Sequence, residues 1–470
     1  MSLIAKLVLL AWLPIAIWIF RRYPPRTAIL ITAIAGVLFL PQRVEFRVPL
    51  LPDYNSQTAV VYAILIGLLI YDTKWLTRLE PWWLDLPILI WCISPFFASW
   101  RNDLGIYDGI NESISGVWQY GIPYLVGRVY FRSLEDLKQL AVAIIKGALI
   151  YVPFCWWEGL MSPNIHRFIY GYFPHTGGFA QTLRYGGYRP NVFMSHGLAV
   201  GLWMMTATLI AVWLWQSKKA VLEIWGLDMV YIVPILVFTL VWCRSTGAVF
   251  YFAYGLFILA IAKWTKSSWP LLLLIAAIVV YLYLNVQGIF DKTPVLEVLS
   301  NIFSPQRIQS LEFRLDEETL LSAKAREKFW FGWGGWGRNR IFEEDFYGIF
   351  RDTSITDSLW ILGFGTKGVI ATICLTATML VPPVIFNFFR YPVTTWFHPR
   401  IAAAAAFVAL LPLLMLDNLL NNHLTMVCWV ITGGLTGLIL NPQEKLSKIL
   451  WENKLDSGSL PEIPGKIAQR

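Results

Sequence analysis

Leu311–Arg340 reads LEFRLDEETLLSAKAREKFWFGWGGWGRNR, and the apolar stretch that precedes it, Trp269–Leu284, reads WPLLLLIAAIVVYLYL. The contrast between the two decides the fold. About 20 helical residues cross a hydrocarbon core, and many apolar runs of nearly that length recur along the chain. Leu311–Arg340 is the densest polar segment between any of them. It lies in a non-membrane interval, roughly Val286 to Leu362, longer than any other between spans.

The composition agrees. Of the 470 residues 57% are hydrophobic and 14% charged, with a mean hydropathy of +0.55. A soluble domain is about 45–50% apolar and about 25% charged. The expected fold class is therefore an all-α polytopic membrane protein of about 12–13 transmembrane helices with one large, partly helical extracytoplasmic loop. The 24 Trp and 20 Tyr suit aromatic belts at both interfaces. In a soluble protein a net charge of +8 would point to nucleic acid. In this chain it reads as positive-inside turns and contact with anionic headgroups, so membrane lipids are expected partners and nucleic acid is not.

Arg21, Arg22 and Arg26 follow the first span, Ser2–Phe20, with only Lys6 before it. Charge after the apolar run is the reverse of a secretory signal, so the span is expected to be retained, with its N-terminus outside. Alternation then gives ten spans within 1–285, the loop at 286–362, three spans within 363–440 and an inside basic tail at 441–470. The turns bearing Lys74 and Arg78, Arg128 and Arg132, Lys218 and Lys219, Lys263 and Lys266, and Arg390 and Arg400 all fall on one side. The short span Thr58–Tyr71 reads as either tilted or re-entrant.

Familiar soluble signatures are missing. The chain has no G-x-x-x-x-G-K-[ST] and no H-E-x-x-H, and Gly332–Gly337 lacks the strand-then-helix setting of a dinucleotide site. The five His are scattered, so a metal site is not expected, and no cofactor is expected. Cys92, Cys155, Cys243, Cys374 and Cys428 lie in or beside apolar runs and read as buried thiols.

Several polar residues on the expected outer face remain. Arg244 interrupts two apolar spans; it reads either as a snorkelling anchor or as a phosphate contact. Arg314 could pair with Glu317 or Glu318, or hold phosphate. Asp316–Phe331 is expected to be helical and Gly332–Gly337 to end it. Trp333 and Trp336 could stack on sugar faces or on the membrane surface, and Arg338 is a further cation. Asp357 reads as a first-turn acid or as a proton acceptor. His196, one turn into the span Val192–Trp215, reads as buried packing or as a catalytic group. Asp417, Asn418, Asn421, Asn422 and His423 form an outer turn, most simply a solvated one.

Four stretches carry a resemblance. They are Pro123–Arg128 with Ser133–Leu137, Arg189–Ala199, Cys243–Ala248 and Ser310–Gly337, with Asp357–Gly368 as a helical return. In this order they resemble the O-antigen ligase and O-antigen polymerase superfamily of bacterial surface-polysaccharide enzymes, over about half of the chain. The resemblance implies a multi-pass protein of the bacterial inner membrane whose large loop is periplasmic. It implies a metal-independent, inverting glycosyltransferase that moves a glycan from an undecaprenyl-diphosphate carrier to a hydroxyl on a lipid or growing polysaccharide. Family arginines thought to hold the diphosphate correspond to Arg244 and Arg314. The family ligases' His-Asn before the post-loop span reads Asp357-Ser358 here. The base therefore stays open between Asp357, His196 and another group, and so does the choice between ligase and polymerase. A different class, a transporter of lipid-linked glycan, should place charges at mid-membrane and show internal repeats; neither is evident.

Overall fold

The computed structural model describes residues 2–175, 182–217, 220–301, 305–344, 350–354, 358–444 and 446. Helices dominate. In chain order they are α1 (Leu3–Arg22), α2 (Pro25–Phe39), α3 (Ser56–Tyr71), α4 (Leu86–Arg101), α5 (Ile106–Gly116), α6 (Ile122–Tyr130), α7 (Leu134–Met161), α8 (Ile165–Tyr170) and α9 (Gly197–Gln216). They continue as α10 (Met229–Trp242), α11 (Thr246–Trp264), α12 (Trp269–Gln287), α13 (Thr293–Ser300), α14 (Pro305–Arg326), α15 (Leu359–Ile385), α16 (Ala402–Asn418) and α17 (Met426–Leu440). A π-helical turn, Val117–Gly121, joins α5 to α6. Among the described residues, sheet is confined to two-stranded hairpins.

Seven of the described helices are long and apolar enough to cross a membrane, and five shorter apolar ones match other expected spans. This is a multi-pass, all-α membrane architecture. α3 has 16 residues and is therefore only about 24 Å long.

Burial sorts the helices. α9 and α16 are buried nearly all round, and so is α17. α1, α11 and α12 leave a wide apolar face exposed, as lipid-facing helices do. The alanine run Ala402–Ala406 lets neighbouring helices close on the start of α16. Small residues also let α6 and α17 approach almost backbone to backbone: a Cβ on Gly433 would lie 1.9 Å from the Tyr124 carbonyl oxygen.

Contacts between connections fall into two sets. On one side Arg26 pairs with Asp136, Arg78 with Asp72, and Arg128 with Asp85, and the Asn441 amide donates to the Arg132 carbonyl. On the other, the Gln42 N–H donates to His166, Asn102 donates to the Gly332 carbonyl, and Arg314 donates to the Leu420 carbonyl. The first set joins turns expected to carry the basic charge; the second joins connections expected opposite them, the long loop in two of its three bonds.

Two boundaries differ from expectation. The loop helix α14 runs Pro305–Arg326, not Asp316–Phe331. Pro suits a first helical position, and Leu315, Glu318, Leu321, Ser322 and Ala325 give one buried stripe at helical spacing. Lys324 and Arg326 complement the carbonyl end. The post-loop helix begins at Leu359, ahead of the loop end expected at 362, and it is broken at Gly368, where φ is 79° and ψ −178°.

The loop fills that break. The Trp333 and Gly334 N–H groups donate to the Gly365 and Thr366 carbonyls at 2.8 and 3.0 Å, and the Val369 N–H donates to the Phe329 carbonyl at 2.9 Å. Backbone polar groups freed by a break inside a membrane must find partners. Phe329–Gly334 supplies them, and a Cβ on Gly368 would stand 2.2 Å from the Trp330 carbonyl oxygen.

Candidate functional site

The site is built where α14, the turn after α16 and the start of α9 meet. α16 is apolar along its body, so its burial carries Asp417 and Asn418 inside. Asp417, Asn418 and Asn421 are all buried, against the expectation of a solvated turn, while Asn422 is exposed and His423 half-buried. Asn421 is the hub. Its side-chain oxygen accepts from an Arg314 terminal nitrogen at 3.1 Å, and its amide donates to Asp417 at 2.9 Å. Its backbone carbonyl accepts from the Leu359 N–H at 3.2 Å, the first of α15. The same Arg314 nitrogen also donates to the Leu420 carbonyl at 3.0 Å. A buried carboxylate needs a nearby cation and hydrogen bonds; the Asn421 amide bonds one Asp417 oxygen and links it to Arg314.

One helical turn beyond Arg314, Glu318 is buried too. It accepts from the Tyr281 hydroxyl at 2.5 Å and from the Trp360 indole N–H at 3.2 Å. Burial pushes its carboxyl up to about 7, only partly offset by these donors and by Arg314. The sequence weighed Glu318 only as a surface partner for Arg314. The readable signal was its place on the Leu315–Leu321 stripe.

His196 is the N-cap of α9, not a residue one turn inside it. Its Nδ1 accepts from the Leu198 N–H at 3.1 Å. Burial holds the imidazole below its ordinary range, helped by His423, Arg189, His175 and Arg314 around it. The ring is neutral near pH 7 and Nδ1 is the acceptor, so the proton sits on Nε2. That nitrogen is a hydrogen-bond donor in this arrangement. His423 stacks on His196 with centroids 5.8 Å apart and planes 8° from parallel, and His175 lies 6.5 Å away. Three histidines scattered in sequence are thus neighbours in space. Stacked rings do not converge on one point, and among the described residues no group of three or more His, Cys, Asp or Glu is placed to hold a metal ion.

Arg244 is placed differently from Arg314. Its φ is +50°. One terminal nitrogen donates to the carbonyls of Arg184 and Tyr185 at 2.8 and 2.9 Å, and Arg189 donates to the Arg244 carbonyl at 3.3 Å. Its guanidinium lies against Gly187, where an added Cβ would be 2.1 Å from it. Arg244 therefore clasps the Leu183–Tyr188 hairpin. The cations whose charge reaches His196 are Arg189 and Arg314. Glu158 fixes the segment that carries Arg189 by accepting from the Ile165, Asn191 and Val192 N–H groups at 2.7–2.9 Å.

The remaining expected residues sit at the α15 break. The Trp333 indole donates to the Lys324 carbonyl at 2.9 Å, with the Lys324 and Lys328 ammonium groups 4.1 and 5.4 Å from its ring. This is packing in which cations occupy the ring. Trp336 is 76% exposed and donates to Asp108 at 3.2 Å. Arg338 is exposed. Asp357 lies outside the described residues.

Beside His423 opens a cavity of about 340 Å³ between α2, α3, the Val117–Gly121 turn, the start of α9 and α17. Comparison with protein-family models, with curated proteins and with solved structures finds no match to this chain.

Proposed function

We propose that the chain is a membrane glycosyltransferase of the O-antigen ligase or polymerase kind. It moves a glycan from an undecaprenyl-diphosphate carrier to a hydroxyl acceptor on the outer face of the bacterial inner membrane. The observation that carries this reading is the meeting of Arg314 and Arg189 with a neutral imidazole, His196, beside a polar cavity at the loop-bearing end of the helix bundle.

The chemistry asks little more. A lipid diphosphate is already an activated leaving group. The acceptor oxygen bonds to the anomeric carbon as the carbon–oxygen bond to the diphosphate breaks; the acceptor proton passes to a base, and lipid diphosphate departs. Guanidinium groups stabilise the charge that develops on the leaving phosphate. Arg314 has this role, with Arg189 beside it and His196 donating through Nε2. Asp357, adjoining Ser358 in sequence, is the candidate base. Arg338 and the exposed Trp336 are candidate contacts for carrier phosphate and glycan away from the reacting bond.

The test is reconstitution of the full chain in liposomes with a lipid-diphosphate oligosaccharide and an acceptor glycan. Transfer with release of lipid diphosphate is expected, and Arg314→Ala should lower it by about 100-fold or more. Arg314→Lys should recover little, since an ammonium that bonds Leu420 and Asn421 has no second planar pair of donors to offer phosphate. Intact lipid-linked glycan crossing the bilayer without cleavage would replace the enzyme with a transporter.

A further inference from the structure

We propose that the cavity beside His423 is a binding site for an uncharged sugar, and that this sets the class of glycan the protein handles. As a statement about the reaction it rests on the glycosyltransferase reading; as a statement about binding it rests on the cavity alone.

At about 340 Å³ the space lies at the low end of small-molecule sites, the size class of a mono- or disaccharide. Its wall is built from neutral hydrogen-bonding groups. The amides of Gln42, Asn55, Gln119 and Asn422, the Ser195 hydroxyl and the Trp118 ring line it. Amides offer both donors and acceptors, which is what a ring of hydroxyls requires, and an aromatic side chain offers an apolar face for the ring's C–H groups. Among the described residues, lysine and arginine are absent from the lining, and Asp53 is its one carboxylate.

Gln119 shows that the polarity is placed. It lies within a π-helical turn, Val117–Gly121, in a helix that runs through the bundle, and it is exposed. A π-turn in an otherwise α-helical run is a costly feature that recurs at functional sites, and an amide facing hydrocarbon is unfavourable unless it borders a polar space. The turn presents Gln119 to the cavity. A sugar bearing carboxylate, sulfate or phosphate would find no lining lysine or arginine and would face Asp53. A neutral hexose or N-acetylhexosamine meets neither penalty.

Saturation-transfer NMR on the detergent-solubilised full chain tests this with methyl glucoside, methyl N-acetylglucosaminide and methyl glucuronide. The two neutral glycosides should show signals and compete with each other, and the glucuronide should show none. Gln119→Leu should cut the neutral signals by about fivefold, the effect of one lost hydrogen bond. Asp53→Lys, a change at an exposed loop position, should admit the glucuronide. Glucuronide binding to the unaltered protein equal to that of the neutral glycosides would overturn the proposal, and so would neutral signals untouched by Gln119→Leu. Neutral binding without transfer in liposomes would retire the enzyme reading and leave the sugar site. Transfer without glycoside signals would do the reverse.

Discussion

Arg314 and Arg244 looked alike in the sequence, each a lone cation beside apolar spans, and tertiary contacts separate them. Arg314 donates into a buried turn one bond from Asp417. Arg244 spends donors on the carbonyls of Arg184 and Tyr185. Arg244→Ala should therefore act through the Leu183–Tyr188 hairpin: amide hydrogen exchange there should rise about tenfold, with any fall in transfer following from it. Unchanged exchange together with lost transfer would return Arg244 to direct phosphate binding. Glu318 carries a pH dependence. Its carboxyl titrates near 7 when folded, above the 4.5 of the free group, so the folded state binds the proton more tightly. Stability from this group is full below pH 4.5 and is lost as pH rises through about 7. Thermal unfolding of the detergent-solubilised protein should fall over that window. Glu318→Gln, which keeps the shape and cannot ionise, should flatten the fall.

At the scale of elements, the interrupted helix α15 is the main departure from a simple span. Gly365–Gly368 reads as ordinary membrane helix in sequence, and Gly332–Gly337 as a helix end. Neither alone shows that one plugs the other, because the bonds that join them span more than thirty residues of chain. Gly368 combines a backbone conformation open almost only to glycine with a carbonyl 2.2 Å from where a Cβ would stand. Gly368→Ala should cost about 3 kcal/mol or more. It should also raise protease cleavage within Phe329–Gly334, as the loop comes off the break. Cleavage unchanged from the parent protein would mean that the plug does not hold the loop.

At the scale of the whole molecule, the expected alternation places the basic turns on one side of the membrane and the long loop on the other. Single cysteines at Lys74, within the basic set, and at the exposed Arg338, within the loop set, should react with a membrane-impermeant maleimide from opposite sides of intact cells. Labelling of both from one side would break the topology. Composition and run length determined the all-α membrane architecture by themselves, because burying backbone in hydrocarbon leaves few alternatives to helices. They also located the end of the apolar run that α12 continues to Gln287, since the end of such a run is a local property. The site was decided by tertiary structure. Burial of α16 turned Asp417–Asn421 from a solvated turn into a hydrogen-bonded hub, and capping of α9 fixed the tautomer of His196. Helix packing brought His175, His196 and His423 together. Each depends on a desolvation or a contact between residues far apart in the chain, and a sequence records neither until it is folded.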